Sequence, residues 1–265
     1  MTERLGRIWA IALNTFREAA RMRVMYGLLV LVAGMNLLSI VLGEMSIREA
    51  ARVTRDVALA SISFWGSLTA IFLGLFLLYS EVQRRTIHAI VSKPIERWEF
   101  VIGKYVGMAL ILSVLVAVFA IAMVAVLLWQ GVGVTTPVIE QLVLAWCEVM
   151  TVAAIAIFFS SFSTPFLSAI FSLAMWAIGR VTPDIEHATK SAAGWIRWTS
   201  RAALEIVPDV HLFAPSGRVI HGAAMSVNGD FVSWGYVGVA ALHGLGWAVG
   251  LLALACLLFH RRDFA

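Results

Sequence analysis

Charge is scarce in this chain. Of its 265 residues only 14% are Asp, Glu, Lys or Arg, and 61% are hydrophobic. Soluble domains carry about 25% charged residues, so an ordinary soluble domain is excluded. Cysteine is nearly absent. Cys147 and Cys256 both fall in apolar runs, which leaves no disulfide framework and reads them as small packing residues. Sequence signatures of catalysis are missing too: no G-x-x-x-x-G-K-[ST], no H-E-x-x-H, no G-x-S-x-G and no C-x-x-C. The one Gly–Lys pair, Gly103–Lys104, is followed by Tyr105 inside an apolar run rather than by Ser or Thr. A nucleotide-binding loop, a zinc hydrolase and a serine hydrolase are therefore not expected, and the chain reads as a non-enzyme with no cofactor of its own. The six histidines are scattered; His187, His211 and His221 are the only outer grouping a metal could use, and no metal site is expected. His243 alone lies deep in an apolar run, where an interhelical hydrogen bond is the ordinary role. Alternating strand-length segments are lacking, which excludes a membrane barrel. No small-residue cleavage pattern follows the first apolar run, so a cleavable leader is not expected.

What is present is a set of long apolar runs. A helix crossing the ~30 Å hydrocarbon layer needs about 20 mostly apolar residues. Residues 24–43, 57–79, 101–130, 141–163, 166–181 and 234–259 meet or approach that length, the fifth being the shortest. The fold class expected is an all-α polytopic membrane protein with six transmembrane helices. Lysine and arginine collect on the cytosolic flanks of membrane helices. With both termini inside, Arg4, Arg7, Arg17, Arg21, Arg23, Arg84, Arg85, Lys93, Arg97, Lys104, Arg261 and Arg262 lie in the cytosol. The remaining positives, Arg180 among them, fall outside and are mostly in one long segment. An N-in, C-in topology follows. It explains the net charge of +4 without any nucleic acid.

Residues 1–23 read as a helix lying in the interface. Leu5, Ile8, Trp9, Ala12, Leu13 and Phe16 recur at three- and four-residue steps, with Arg4, Arg7, Arg17 and Arg21 on other faces. Residues 24–265 then form the transmembrane domain. Within it, 182–234 is an outer segment punctuated by Pro183, Pro208, Pro215 and Gly217, whose tryptophans and arginines suit short helices at the membrane face. Thr164–Pro165 marks a tight turn, with Pro165 in a first helical turn and Thr164 as its cap. Gly66, Ala70 and Gly74, then Gly103 and Gly107, then Gly246 and Gly250 place small residues one turn apart, a spacing that lets helix backbones approach closely in lipid. Glu148 is the one acid inside a run. A charge there costs about 2.5–3.5 kcal/mol on insertion scales, so it faces the protein interior or a wet cavity, as a proton relay, a cargo contact or a hydrogen-bonded structural group.

Between two of these runs lies EVQRRTIHAIVSKPIERWEFVIGK, residues 81–104. Glu81 and Arg85 form an i, i+4 pair in the favourable order. Ile87, Ile90 and Val91 make an apolar edge, Pro94 ends the helix, and Ile95, Trp98 and Val101 begin a second amphipathic turn. Helix, break, helix along the inner face is longer than a hairpin requires. It is either a solvated elbow or a docking surface for a cytosolic partner.

The order Glu81, Thr86, Lys93–Pro94, Arg97 and Gly103–Lys104 resembles the stretch after the second membrane helix of ABC-2 type permeases, the membrane subunits of a class of ABC exporters. Arg85 stands where glycine is frequent in that family, and Glu96 where serine is frequent. Phe16–Arg17–Glu18 before the first run, the serine-rich turn at Ser160, Ser161, Ser163 and Pro165, and the Pro208 to Phe213 element are similar to the family as well. The likeness spans essentially the whole chain. It implies a bacterial inner-membrane protein paired with a second permease subunit, as a homodimer or heterodimer. Each subunit would dock on a separate cytosolic ATPase that carries the ATP and magnesium. By that resemblance residues 81–100 form the coupling-helix region, with Glu81, Arg84, Arg85, Thr86, Lys93, Pro94 and Arg97 as its coupling residues. An ion-gradient-driven carrier using Glu148 is the alternative, though it calls for several intramembrane acids and internal repeats.

Overall fold

Residues 2–45, 50–83, 96–131, 133–190, 194–214, 219–220, 223–224 and 233–260 are described by a computed structural model of the chain. In chain order the helices are α1 (Thr2–Ala20), α2 (Arg23–Glu44), α3 (Ala50–Gln83), α4 (Arg97–Trp129), α5 (Thr136–Phe162), α6 (Pro165–Thr189), α7 (Gly194–Leu204), a 3-10 turn (Val210–Phe213) and α8 (Trp234–His260). A two-residue antiparallel pair joins Val219–Ile220 to Ala223–Ala224. Six of the helices, α2 to α6 and α8, are long and apolar enough to cross a membrane. The all-α, six-span reading of the sequence holds.

α5 is the axis of the bundle. Every residue from 147 to 157 is buried, on all faces of the helix, and α3, α4, α6 and α8 pack around it. That is why its sequence is apolar all round rather than amphipathic. Opposite surfaces of the outer helices carry exposed Val30, Leu37, Phe166, Val239 and Leu242, which suit hydrocarbon and not water.

Close approach of backbones sets two seams. Along α3, Gly66 and Gly74 lie against α5: a Cβ at Gly66 would sit 2.7 Å from Val149 Cγ2, and one at Gly74 2.7 Å from Ala156 Cβ, with Ala70 fully buried between them. Along α4, Gly103 and Gly107 face α1, and a Cβ at Gly107 would reach 2.4 Å from the Ala12 carbonyl oxygen. Gly246 and Gly250 share the spacing but not the role. No heavy atom lies within 4 Å of a Cβ added at either, so among the described residues they pack against no other helix. Gly107→Leu is therefore expected to destabilise the folded chain by about 1–3 kcal/mol, the scale of overpacking, and Gly246→Leu to leave it near wild type. Thermal unfolding in detergent checks both.

Most helix ends run past the apolar runs, and the largest extension at a single end belongs to the fifth. It was expected to stop at residue 181 with Pro183 in the outer segment, yet α6 continues through Pro183 to Thr189. A proline has no N–H for the carbonyl four residues back, here Gly179. The Thr182 hydroxyl lies 3.4 Å from that oxygen and 3.2 Å from the Ile178 oxygen, and so partly satisfies the freed carbonyl. At the start of α6, Thr164 holds the cap position but its side chain makes no capping bond. Instead Ser168 Oγ donates to the Phe159 carbonyl at 3.0 Å, tying the first turn of α6 to the last of α5. His243 also departs from expectation, since its buried Nε2 has no partner among the described residues.

The outer segment is anchored rather than merely laid on the surface. α7 exposes Trp195 and Trp198, but Phe213 at the end of the 3-10 turn is fully buried against Gly244. Gln141 Nε2 donates to the Phe213 carbonyl at 3.0 Å, and Tyr236 Oη donates to the Leu212 carbonyl at 2.6 Å. These bonds pin the turn over the end of the bundle opposite to α1.

Candidate functional site

Two charge clusters stand out, one at each of two depths. The first lies where α1 crosses the start of α4. Glu99, in the first turn of α4, has no exposed side-chain surface. Arg7 forks onto it, Nε donating to Oε2 at 3.0 Å and Nη2 to Oε1 at 2.8 Å. The same carboxylate reaches back to the Glu96 backbone N–H at 3.3 Å, the return half of a capping box that fixes where α4 begins. Arg4 pairs with Glu96 at 3.0 Å, and on the far side of the glycine seam Lys104 Nζ lies 3.7 Å from Glu18. Lys104 is itself nearly fully buried. It donates to the Leu77 carbonyl of α3 at 3.4 Å and stands 5.7 Å from the centre of the Phe100 ring. Planar two-point pairing of guanidinium and carboxylate fixes orientation as well as distance. α1 is thus held to α4 by ion pairs at both ends and by backbone contact in the middle.

The second cluster is inside the bundle. Glu148 sits about 18 Å along α5 from its start at ~1.5 Å per residue. The apolar run 141–163 would set it only about two turns from the start, but the helix begins earlier, at Thr136. Its carboxylate is fully buried and accepts from four side chains. Oε1 takes Arg180 Nη1 at 2.6 Å, Trp176 Nε1 at 3.1 Å and Ser67 Oγ at 3.4 Å, and Oε2 takes the Ser63 hydroxyl. Arg180 Nη1 also donates to Ser63 Oγ at 2.9 Å, and its guanidinium lies 5.7 Å from the Trp176 ring. Three helices, α3, α5 and α6, meet at this one carboxylate. The charge count had put Arg180 outside the membrane; on α6 it is instead the counter-ion of Glu148. Pairing of this kind is how a charge is tolerated at membrane depth. Nor is Glu148 the sole acid in a spanning helix: Glu140 lies on the same helix and is also buried.

Of the residues singled out in the elbow, Arg97 opens α4 and is exposed, and Glu81 lies in the last turns of α3. Arg84, Arg85, Thr86, Lys93 and Pro94 lie outside the described residues, as does His221 of the histidine trio. Among the described residues no group of His, Cys, Asp and Glu could hold a metal. Sequence reasoning missed Arg7, Glu99 and Arg180. The Glu96-x-x-Glu99 spacing ahead of an apolar run was a signal for the first pair. For Arg180 the only signal was its position one residue inside the end of the fifth run.

Comparison with curated proteins gives no match. A family model described as ABC-2 family transporter protein, however, matches residues 9–264, from the middle of α1 to beyond the last spanning helix. A match of that extent over a six-span helical bundle places this multi-pass membrane protein in the ABC-2 family, as a permease subunit of an ABC transporter.

Proposed function

We propose that this permease subunit is driven by ATP hydrolysis on a separate cytosolic subunit docked at residues 81–100, and that it exports its cargo across a bacterial inner membrane beside a second permease subunit. The supporting observation is the clamp between α1 and α4. The proposed docking segment ends in the first turn of α4, where Glu96 and Glu99 hold Arg4 and Arg7 of α1. A push on that segment therefore meets a braced pair of helices rather than a loose loop. Displacement passes through Lys104 to the end of α3 at Leu77, and along the Gly66–Gly74 seam to α5. Nucleotide on the partner supplies the difference in binding energy between two arrangements that any such switch requires. Glu81 and Arg85 are the proposed contacts, with Arg84, Thr86, Lys93, Pro94 and Arg97 shaping the segment.

An ion-gradient carrier working through Glu148 is less well supported. That carboxylate is already held by a guanidinium and three further donors, and proton carriage requires releasing them. The chain is expected to co-purify with a soluble ATPase, and charge reversal at Glu81 or Arg85 to weaken that association. Normal ATPase binding after the sequence of 81–100 is scrambled would rule out the docking assignment.

A further inference from the structure

A groove of about 920 Å³ separates the first turns of α4 from the last turns of α8. Its walls are Ile102 of α4 and Val249, Leu252, Ala253, Cys256 and Leu257 of α8. All of these lie within helix segments long and apolar enough to cross a membrane, so the groove opens onto hydrocarbon. Charged side chains come at one end only. There Glu96, Arg97 and Trp98 form the rim, beside the clamp between α1 and α4. Trp98 donates its indole N–H to the Glu96 carboxylate, which turns the polar edge of the ring toward the rim. A tryptophan held in this way suits the level where headgroups meet hydrocarbon.

Size and shape select the occupant. From Val249 to Leu257 the groove follows α8 for about 12 Å, at ~1.5 Å per residue. That is close to half of the ~30 Å hydrocarbon layer, the depth of one leaflet, whereas a spanning helix laid alongside would use the full thickness. A water's share of liquid volume is ~30 Å³ and a methylene group is of similar size, so the groove has room for most of an acyl chain. Water itself is excluded, since it needs two or more polar partners and the walls are apolar. An amphiphile with its chain along α8 and its head at the rim matches the one-ended polarity. We propose that the groove binds a phospholipid of the leaflet on the α1 side, which lodges one acyl chain between α4 and α8 and leaves its headgroup at the rim. Glu96 is already paired with Arg4, and Arg97 is also engaged, so the chain and not a headgroup contact carries the recognition. The site requires neither the ATPase nor a direction of transport.

The full chain is ejected into a mass spectrometer from nanodiscs of mixed phosphatidylglycerol and phosphatidylethanolamine. One phospholipid per chain, of either headgroup, is expected to survive the activation that strips the surrounding lipid. Ala253→Trp, an exposed position whose new ring fills the groove, should lose that lipid, and Leu245→Trp, on an exposed part of α8 outside the groove, should keep it. Alkylating Cys256 with N-ethylmaleimide fills the same space in the already folded chain and should displace the lipid without any substitution; the other thiol, Cys147, is buried. Absence of a retained lipid would overturn the proposal, as would retention that survives Ala253→Trp or the alkylation. So would equal retention of dodecyl maltoside after exchange into detergent, which makes the groove a site for any alkyl chain. Dimers linked through Cys256 under mild oxidant would overturn it too, because a second copy of the chain would then cover the groove.

Discussion

Glu148→Ala is expected to cost about 3–5 kcal/mol of stability, the scale on which a buried ion pair resists losing one partner. The substitution removes the acceptor shared by Arg180, Trp176, Ser63 and Ser67, so three helices lose their common fastening and a guanidinium is left inside the bundle. Arg180→Ala should fall in the same range for the complementary reason: it strands a fully buried carboxylate. Glu148→Gln keeps the volume and one acceptor oxygen. Because Arg180 also borders a cavity, that variant should lose less, about 1–3 kcal/mol, and still assemble. The decisive member of the series is the double change Glu148→Leu with Arg180→Met. Replacing a buried pair by apolar residues of similar size is often close to neutral, so the double variant should be more stable than either alanine single. Denaturation in mixed micelles measures all four. If the double variant were as damaged as the two singles added together, the charges would not be coupled and the fastening role would be lost.

The second large effect is expected at the clamp. Glu99→Arg sets two guanidiniums against each other at a position with no exposed surface, and so should lift the first half of α1 from α4. Coupling between sites is typically 1–3 kcal/mol, or about 5–150-fold, so ATP-dependent transport should drop by roughly tenfold or more while the ATPase still binds. Arg7→Glu alone should act in the same direction, and combining the two restores an opposite-sign pair and recovers part of the activity. Cysteines placed at Arg4 and Glu96, whose exposed side chains pair at 3.0 Å across the same crossing, report the separation as lost crosslinking by a short bifunctional reagent. Full transport by Glu99→Arg with crosslinking lost would mean that α1 carries no force.

Much of this architecture is legible in the residues, and the limits have physical causes. A spanning helix satisfies its backbone internally, so a run of about 20 apolar residues identifies it with no knowledge of its neighbours. All six spans could be read for that reason. Their ends could not, because Arg97, Thr136 and Pro183 continue helices that composition alone would stop. Small-residue spacing shows where backbones are able to approach, without naming the partner. Gly66 and Gly74 meet α5 and Gly103 and Gly107 meet α1, whereas Gly246 and Gly250 with the same spacing meet no described helix. Glu148 could be singled out as costly, but its partner could not, since α6 brings Arg180 to it across 32 positions of sequence. The amphipathic stripe of α1 was likewise visible, but its division was not: Ala12 packs with Thr15, both fully buried, against Gly107 of α4, whereas Leu5 and Trp9 of the same stripe stay exposed.

The most direct measurement of the central claim is transport by the purified chain in sealed liposomes, with and without its nucleotide-hydrolysing companion. The expected result is flux only when the companion and ATP are both present, and none when an ion gradient is imposed on the permease alone. Full-rate movement of cargo by the solitary chain, driven by a proton or sodium gradient and abolished by Glu148→Gln, would contradict it.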